Sequence, residues 1–191
     1  MKRPFLNTPV QLLVTLTIIM LAAVGCSEEA AVEEETETVV EHRRSPIVIS
    51  ALNHDDTYIK VVYGQPYKRG REIFGGLEPF GEVWRTGANE ATEITLTDDI
   101  QMAGYTVEEG TYSLFTIPET EEWTVILNTQ LGQWGAFSYN PDYDYLRFQI
   151  PAEETEEIVE ALTITLEEVT GQSSSMSIAW DDTHINIPIE F

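Results

Sequence analysis

The sequence predicts an all-β fold, namely an antiparallel β-sandwich of about nine short strands with one long glycine-rich loop. Apolar residues alternate with polar ones in several short segments, which is the period of a strand that has one buried and one solvated face. Turn-forming residues separate these segments, and no long amphipathic helix lies between them. A single closed barrel would show the same periodicity, so this alternative architecture stays open at the level of sequence.

Six segments carry the alternation most clearly, because each has three apolar residues at every second position. In order they are Ile59, Val61, Tyr63; Trp123, Val125, Leu127; Leu146, Phe148, Ile150; Leu162, Ile164, Leu166; Met176, Ile178, Trp180; and Ile185, Ile187, Ile189. Turns are predicted at "NHDD" (53–56), "TDD" (97–99), "EEG" (108–110), "PETEE" (118–122) and "WDDT" (180–183). Only "AEETEEIVEA" at 152–161 predicts a helix, of one or two turns.

The N-terminal segment 1–25 has the layout of a secretory signal peptide. A basic start is followed by an uncharged run that ends in small residues before the single cysteine of the chain, Cys26. The residues "AVGC" at 23–26 resemble a bacterial lipobox, so we expect lipidation at Cys26. An uncleaved transmembrane anchor is the alternative, because the uncharged run is just long enough to span a bilayer of about 30 Å.

Residues 26–44 are predicted to form an acidic, disordered tether, because they contain too little apolar surface to offset their ordering entropy. Residues 45–191 then form a single β-sandwich domain. The acidic residues directly after Cys26 resemble an export signal of Bacteroidetes-type lipoproteins. We therefore expect an extracytoplasmic protein that is anchored to the outer membrane and faces either the periplasm or the cell surface.

Charge restricts the classes of partner. The chain has a net charge of −23, with 33 acidic residues against ten lysines and arginines. Nucleic acid and anionic lipid surfaces are therefore poor partners. The expected partners are the membrane, reached through the lipid anchor at Cys26, and an unknown small molecule, glycan or envelope protein. We expect a monomer.

One segment breaks the alternation. Between Gly64 and Asn89 the chain contains six of its twelve glycines, and loops of this length within a compact domain are usually functional or disordered. The aromatic residues of this segment argue against disorder. We therefore expect an ordered loop that contributes to a site.

Four blocks carry a family resemblance: "VVYGQPYKRGREIFGGLEPFGEVWRTGANEAT", "GTYSLFTIP", "WTVILN" and "QWGAFSY". They resemble an uncharacterised bacterial family, domain of unknown function 2911, which is common in Bacteroidetes and often lipid-anchored. Gln65 stands where the family usually has arginine, and Phe80 where it usually has tyrosine. The resemblance implies domain boundaries and location, but it carries no activity or catalytic residues.

Cations in the long loop form the first candidate site. Lys68, Arg69, Arg71 and Arg85 are four of only six cations from residue 45 onward. Arginine forks bind carboxylate, sulfate and phosphate oxygens in pairs, so a pocket for such an anion is one interpretation. The other interpretation is that these cations pair with nearby glutamates, namely Glu72, Glu78, Glu82 and Glu90, and pin the loop.

The segment "EVWRTGANEAT" (82–92) contains Arg85 and contributes three further candidates, Trp84, Asn89 and Glu90. We expect a tight turn at 86–89, because Gly87 and Asn89 tolerate positive φ. Counting back by two along the next strand places Glu90 on its buried face, where a carboxylate needs a partner. The sequence thus predicts a buried Arg85–Glu90 pair, with Trp84 packed against it.

An aromatic loop forms the second candidate site. The segment "QWGAFSYNPDYDY" (133–145) contains Trp134 and Tyr139, which could stack on a sugar ring or a peptide. A hydrophobic plug that closes one end of the sandwich is the alternative interpretation of the same residues.

The domain lacks the parts of a metal site or a nucleophile. Its histidines have no second ligand at zinc spacing, its paired aspartates lack the loop that makes calcium binding specific, and no cysteine lies beyond Cys26. We expect no metal, no cofactor and no catalytic residues, and thus a binding or cell-envelope accessory protein. An enzyme that acts on a saccharide or peptide in a cleft between loops 64–90 and 133–145 is the rival interpretation.

Overall fold

The computed structural model describes residues 43–191. The predicted signal peptide, Cys26 and all but the last two residues of the predicted tether lie outside the described residues. Nine strands occur, with these bounds: β1 Ile47–His54, β2 Thr57–Gly64, β3 Thr92–Leu96, β4 Ile100–Met102, β5 Tyr105–Val107, β6 Gly110–Ile117, β7 Glu122–Asn128, β8 Asp144–Leu166 and β9 Ser173–Glu190. A single 3-10 turn, Pro141–Tyr143, precedes β8.

All strand pairs are antiparallel, and the hydrogen-bonded order is β1-β2-β3-β6-β7-β8-β9-β4-β5. The ends of this order, β1 and β5, do not pair with each other, so the sheet is not a closed barrel. The predicted all-β antiparallel fold with nine strands is confirmed. The long glycine-rich loop is confirmed as well, since no strand lies between Gly64 and Thr92.

Strand β8 joins two layers of the fold. Before it in the hydrogen-bonded order, β1, β2, β3, β6 and β7 form the first layer, and after it β9, β4 and β5 form the second. Its first part pairs with β7, from Asp144 to Pro151, and its second part pairs with β9, from Ala152 to Leu166. The helix predicted at 152–161 is therefore wrong. A helix there would bury almost nothing, since Ile158 stays 59% exposed, whereas the pairing with β9 gives the backbone hydrogen-bond partners.

Strand β9 is also longer than its sequence predicts. The turn expected at 180–183 is wrong, because the strand continues through it as an irregularity in the pairing with β8. Asp181 takes a positive φ of 57° there, opposite Val159. The extra residues of this irregularity lie in β8, because the step from Glu154 to Val159 stands opposite the shorter step from Thr183 to Asp181. Strand β8 therefore carries the bulge.

The main core lies between the two layers. Ile59, Val61 and Leu114 from the first layer and Ile178 and Ile187 from the second have exposed fractions of 0–1%. Four of these five belong to the alternating segments read from the sequence. Leu114 lies in β6, where five consecutive residues, 112–116, are buried. A smaller cluster of Ala91, Phe115 and Ile126 lies apart from the main core, with Val83, Ile117, Ala136 and Tyr139 packed against it.

Side chains of other segments bond to backbone groups of β8 that are not used in its pairing with β9. The hydroxyl of Tyr63 accepts from the Ile164 amide at 3.1 Å, and that of Ser50 accepts from the Leu166 amide at 3.1 Å. The amide of Gln65 donates to the Leu162 carbonyl at 3.0 Å. These bonds join β1 and the end of β2 to β8 through side chains rather than a backbone ladder, so these three backbone groups of β8 are paired although the sheet stays open.

Candidate functional site

The long loop is fixed to the sheet at both ends. The Lys68 amide donates to the Glu160 carbonyl of β8 at 2.6 Å. Trp84 pairs with Thr116 of β6 through two backbone bonds of 2.7 and 2.9 Å. The loop is therefore ordered, and its side chains are held at defined places.

Gly64 allows the loop to approach the end of β2. The Ala88 amide donates to the Gly64 carbonyl at 3.0 Å, and a β-carbon at Gly64 would lie 2.0 Å from the Ala88 carbonyl oxygen. Only glycine permits this approach. Next along the chain, Thr86 and Asn89 take positive φ values of 53° and 68°, whereas Gly87 does not.

Aromatic rings form a buried cluster beneath the loop. Trp84 stacks on Trp180 with ring centroids 5.9 Å apart and meets Trp123 edge to face at 6.1 Å. Phe74 completes the cluster at 4.7 Å from Trp123. Trp84 is 2% exposed, so it belongs to the core and is not a ligand-facing residue in this structure.

An arginine-lined cavity of about 260 Å³ opens above this cluster. Its lining includes Arg44, Arg69, Arg71 and Arg85, together with one carboxylate, Glu78. Four of the ten lysines and arginines of the chain thus surround one cavity in a strongly acidic protein.

Two of these arginines are held by backbone carbonyls. Arg71 donates through Nε to the Lys68 carbonyl at 2.9 Å and through Nη2 to the Tyr67 carbonyl. Arg69 donates to the Arg44 carbonyl at 3.3 Å and lies over the Tyr67 ring, 5.8 Å from its centroid. None of these bonds neutralises the positive charge, because the acceptors are uncharged.

Arg85 is the arginine whose bonding is least complete. Its Nε is buried and has no hydrogen-bond partner among residues 43–191. Within the same residues its guanidinium forms no ion pair within 4 Å. A buried donor without an acceptor costs about 1–3 kcal/mol, so the position favours a ligand oxygen.

Glu78 is half-buried in the same cavity. Burial raises the pKa of its carboxyl to about 7, although the nearby charges of Arg85 and Arg71 act to lower it. The cavity therefore contains a carboxyl that is about half protonated at neutral pH, next to guanidinium groups that stay charged.

Lys68 does not line this cavity. It forms an ion pair with Asp181 of β9, opposite the irregular part of β8, where the aspartate side chain is 9% exposed. This pair ties the long loop to the second layer. Of the loop cations singled out in the sequence, Lys68 thus pins the loop, while Arg69, Arg71 and Arg85 converge on the cavity.

The predicted buried Arg85–Glu90 pair is wrong. The Glu90 side chain is 47% exposed and pairs with Arg43, whose hydrogen bond lowers the pKa of the glutamate. The alternation of β3 does not extend to Glu90, because both Ala91 and Thr92 are buried and the positive φ of Asn89 turns the chain.

The aromatic loop divides between the two predicted roles. Tyr139 is part of a plug: its ring meets Phe115 at 5.1 Å, and its hydroxyl donates to Asp144 at 2.7 Å. Trp134 and Phe137 are 61% and 89% exposed. Trp134 forms a bridge with Glu90, so the two loops meet at this point.

A second cavity of about 210 Å³ lies where these loops meet, lined by Ile47, Val62 and Gly132 among others. The carboxylates at its rim are engaged: Glu90 pairs with Arg43, and Glu93 accepts from the Gly132 amide at 3.0 Å. Arg71 and Arg85 lie in the other cavity, so the loop cations do not line the place where the two candidate loops meet.

A family model described as "Protein of unknown function (DUF2911)" matches residues 45–189. The chain belongs to this family. The match begins at Ser45 and spans the predicted domain almost to its end. No curated protein and no solved structure matches the chain, so DUF2911 membership brings no assigned activity or site with it.

The described part of this DUF2911 chain contains no group of three or more histidine, cysteine, aspartate or glutamate side chains placed to hold a metal ion. In the same residues, no helix is long and apolar enough to cross a membrane.

Several residues that line the arginine-lined cavity are not identified from the sequence. Arg44 was assigned to the tether, Glu78 was considered only as a charge partner, and Trp180 was assigned to a strand. The concentration of cations in the long loop was the available signal. This signal identified the loop, but it identified neither the role of Glu78 within the loop nor the contributions of Arg44 and Trp180 from other segments.

Proposed function

We propose that this DUF2911 protein is a binding module that holds an anionic group of a small ligand in the arginine-lined cavity. Arg85 is the central residue of this proposal, with Arg44, Arg69 and Arg71 supplying further positive charge. In the same proposal the domain lies outside the cytoplasm, on a lipid anchor at Cys26, and acts as a cell-envelope accessory protein rather than as a catalyst.

One observation carries the proposal: the buried Nε of Arg85 has no partner within residues 43–191. A guanidinium that only stabilised the loop would be paired, as Arg147 is with Asp144 at 2.5 Å. Proteins avoid burying an unpaired donor, because its lost hydration is not replaced. A carboxylate, sulfate or phosphate oxygen would supply the missing acceptor.

Charge distribution supports the same function. The chain carries −23 overall, so free anions are repelled from most of its surface. The four arginines around the cavity offer a local exception, because Glu78 is the only carboxylate among the lining residues, although the Glu160 carboxylate accepts from the Arg69 amide at 2.8 Å. An anion is therefore attracted to this place more than to the rest of the described surface.

Calorimetric titration with acetate and sulfate at low ionic strength tests the binding function. We expect saturable binding of at least one of these anions at pH 6, and at least a tenfold loss of affinity in Arg85→Gln, because a charge-assisted hydrogen bond contributes about 1.5–3 kcal/mol. Lys60→Gln is the matched control, since it removes the same charge outside the cavity. Equal losses in both variants would mean that only net charge matters, and would contradict the proposal.

The anchor has its own test. Wild-type protein made in a bacterial host with a lipoprotein pathway should partition into the detergent phase, while Cys26→Ser should stay in the aqueous phase. Lipid attachment requires the cysteine thiol, whereas a transmembrane anchor does not. Identical partition of the two proteins would therefore remove lipidation from the proposal without affecting the cavity.

A further inference from the structure

We infer that the arginine-lined cavity selects a sugar acid, that is, a single ring bearing a carboxylate with hydroxyl groups close to it. This inference rests on the proposed function and specifies its ligand. It uses two polar groups of different character, Arg85 and Glu78, and one aromatic residue of the lining, Tyr67.

The hydrogen-bonding groups of the cavity are of two kinds. A guanidinium such as Arg85 only donates, and it matches the two oxygens of a carboxylate. A protonated carboxyl such as Glu78 donates through its hydroxyl and accepts through its carbonyl oxygen. A ligand that satisfies both must offer a pair of acceptors and, nearby, a group that both accepts and donates. A hydroxyl next to a carboxylate has this character.

The protonation of Glu78 argues against a simple inorganic anion as the best ligand. Sulfate offers only acceptors, so it can satisfy Arg85 but leaves the Glu78 carbonyl oxygen without a donor. Once ionised, Glu78 repels sulfate. Burial raises the pKa of Glu78 to about 7, so both forms are populated at neutral pH, and the hydroxyl of a sugar can bond to either one.

The size and walls of the cavity limit the occupant. Its volume of about 260 Å³ lies below the range of about 300–1,000 Å³ that is usual for drug-sized ligands, so one ring is the upper limit. Tyr67 lines it, half-buried, and lies against Arg69, whereas Trp180 is 1% exposed and belongs to the buried aromatic cluster. The ring of Tyr67 suits the apolar face of a sugar ring. Leu77, 41% exposed, also lines the cavity.

Calorimetric titration at pH 6 with D-glucuronate, D-glucose and sulfate tests the ligand class. We expect D-glucuronate to bind at least tenfold more tightly than either of the others. Glucose lacks the charge for Arg85, and sulfate lacks the hydroxyl for Glu78. Glu78→Leu should lower D-glucuronate affinity at least tenfold and leave sulfate affinity equal or improved.

Two further variants serve as controls for this titration. Glu78→Gln keeps one donor and one acceptor and should retain D-glucuronate binding, which separates hydrogen bonding from packing even if Glu78→Leu fails to fold. Glu72→Gln changes an exposed glutamate of the same loop outside the cavity and should have no effect.

The outcomes separate this inference from the proposed function. Equal affinity for sulfate and D-glucuronate, both dependent on Arg85, would overturn the sugar-acid inference and leave the anion-binding function standing. Binding of glucose as tightly as D-glucuronate would also overturn the inference. No saturable binding of D-glucuronate or any simple anion would overturn both.

Discussion

Two arginine–carboxylate sites of this domain differ in how completely they are paired. In the closed cluster, Asp144 accepts from Arg147 at 2.5 Å, from Tyr139 at 2.7 Å and from Asn128 at 2.8 Å. In the open pair, Arg85 and Glu78 line a cavity, and the buried Nε of Arg85 has no partner among residues 43–191.

The difference teaches how a structural ion pair can be told from a ligand site in one fold. The closed cluster satisfies its own polar groups, so it stabilises the aromatic loop and needs nothing more. The open pair is held in place by the loop around it and leaves donors unused. Both lie in segments rich in aromatic residues, so composition alone does not distinguish them.

The largest expected effect comes from Gly64→Ala, which displaces the loop that carries the open pair. The added methyl group would lie 2.0 Å from the Ala88 carbonyl oxygen, so the backbone must shift. We expect a loss of about 3 kcal/mol or more in the free energy of unfolding, measured by urea denaturation. Gly104→Asn is the control, because nothing lies within 4 Å of that position and asparagine tolerates its positive φ of 82°. An equal, small effect of both changes would show that the close approach at Gly64 is not required.

Asp144→Ala should rank second, because it breaks the closed cluster. Tyr139, Asn128 and Arg147 each lose an acceptor, and the first two are partly or fully buried. We expect a loss of about 2–4 kcal/mol in the same assay. Retention of stability within about 0.5 kcal/mol would mean that the closed cluster is no more structural than the open pair, and the comparison would fail.

Glu78→Gln should stabilise the protein in a pH-dependent way. The pKa of Glu78 is raised to about 7 by burial, so its favourable contribution is present below its unfolded pKa and is lost as pH rises through 7. The variant cannot ionise and should exceed wild type by roughly 1–2 kcal/mol at pH 8, a value discounted for partial solvent exposure, and should match it at pH 5. A stability difference that does not change between pH 5 and pH 8 would contradict the shift. Anion affinity in wild type should likewise fall as pH rises through 7.

Arg85→Gln should have the smallest effect on stability. A buried Arg85–Glu90 pair would have made its removal cost about 3–5 kcal/mol, but that pair does not form. At pH 6, where Glu78 is mostly neutral, we expect a change within about 0.5 kcal/mol, together with the loss of anion binding described above. A loss above about 2 kcal/mol in the free energy of unfolding would assign Arg85 a structural role. The open pair would then be a structural ion pair like the closed cluster.

Local pattern was sufficient for the strands and for the place of the long loop. Ile59, Val61 and Ile187 are buried as their alternation predicts, because the period of a strand places every second side chain on one face. Prediction was wrong where local signals competed with sheet pairing. The segment 152–161 contains many good helix formers, yet pairing with β9 outweighs their weak helical preference.

The N-terminal predictions remain predictions. The signal peptide, the lipid anchor at Cys26 and the outer-membrane location come from the order of basic, apolar and small residues at the start of the chain. They are features of sequence that a transport system reads, and the described residues do not bear on them.

The sequence by itself determined the all-β class, the family and the loop in which cations concentrate. These follow from properties of neighbouring residues, namely period, turn chemistry and motif. Only the tertiary structure decided which charges meet: Arg44, Glu78 and Trp180 join Arg85 at one cavity, while Glu90 turns away to Arg43. The physical reason is that a backbone turn such as the positive φ at Asn89 redirects every side chain after it. Contacts between distant segments depend on many such turns together, and no single stretch of sequence contains that information.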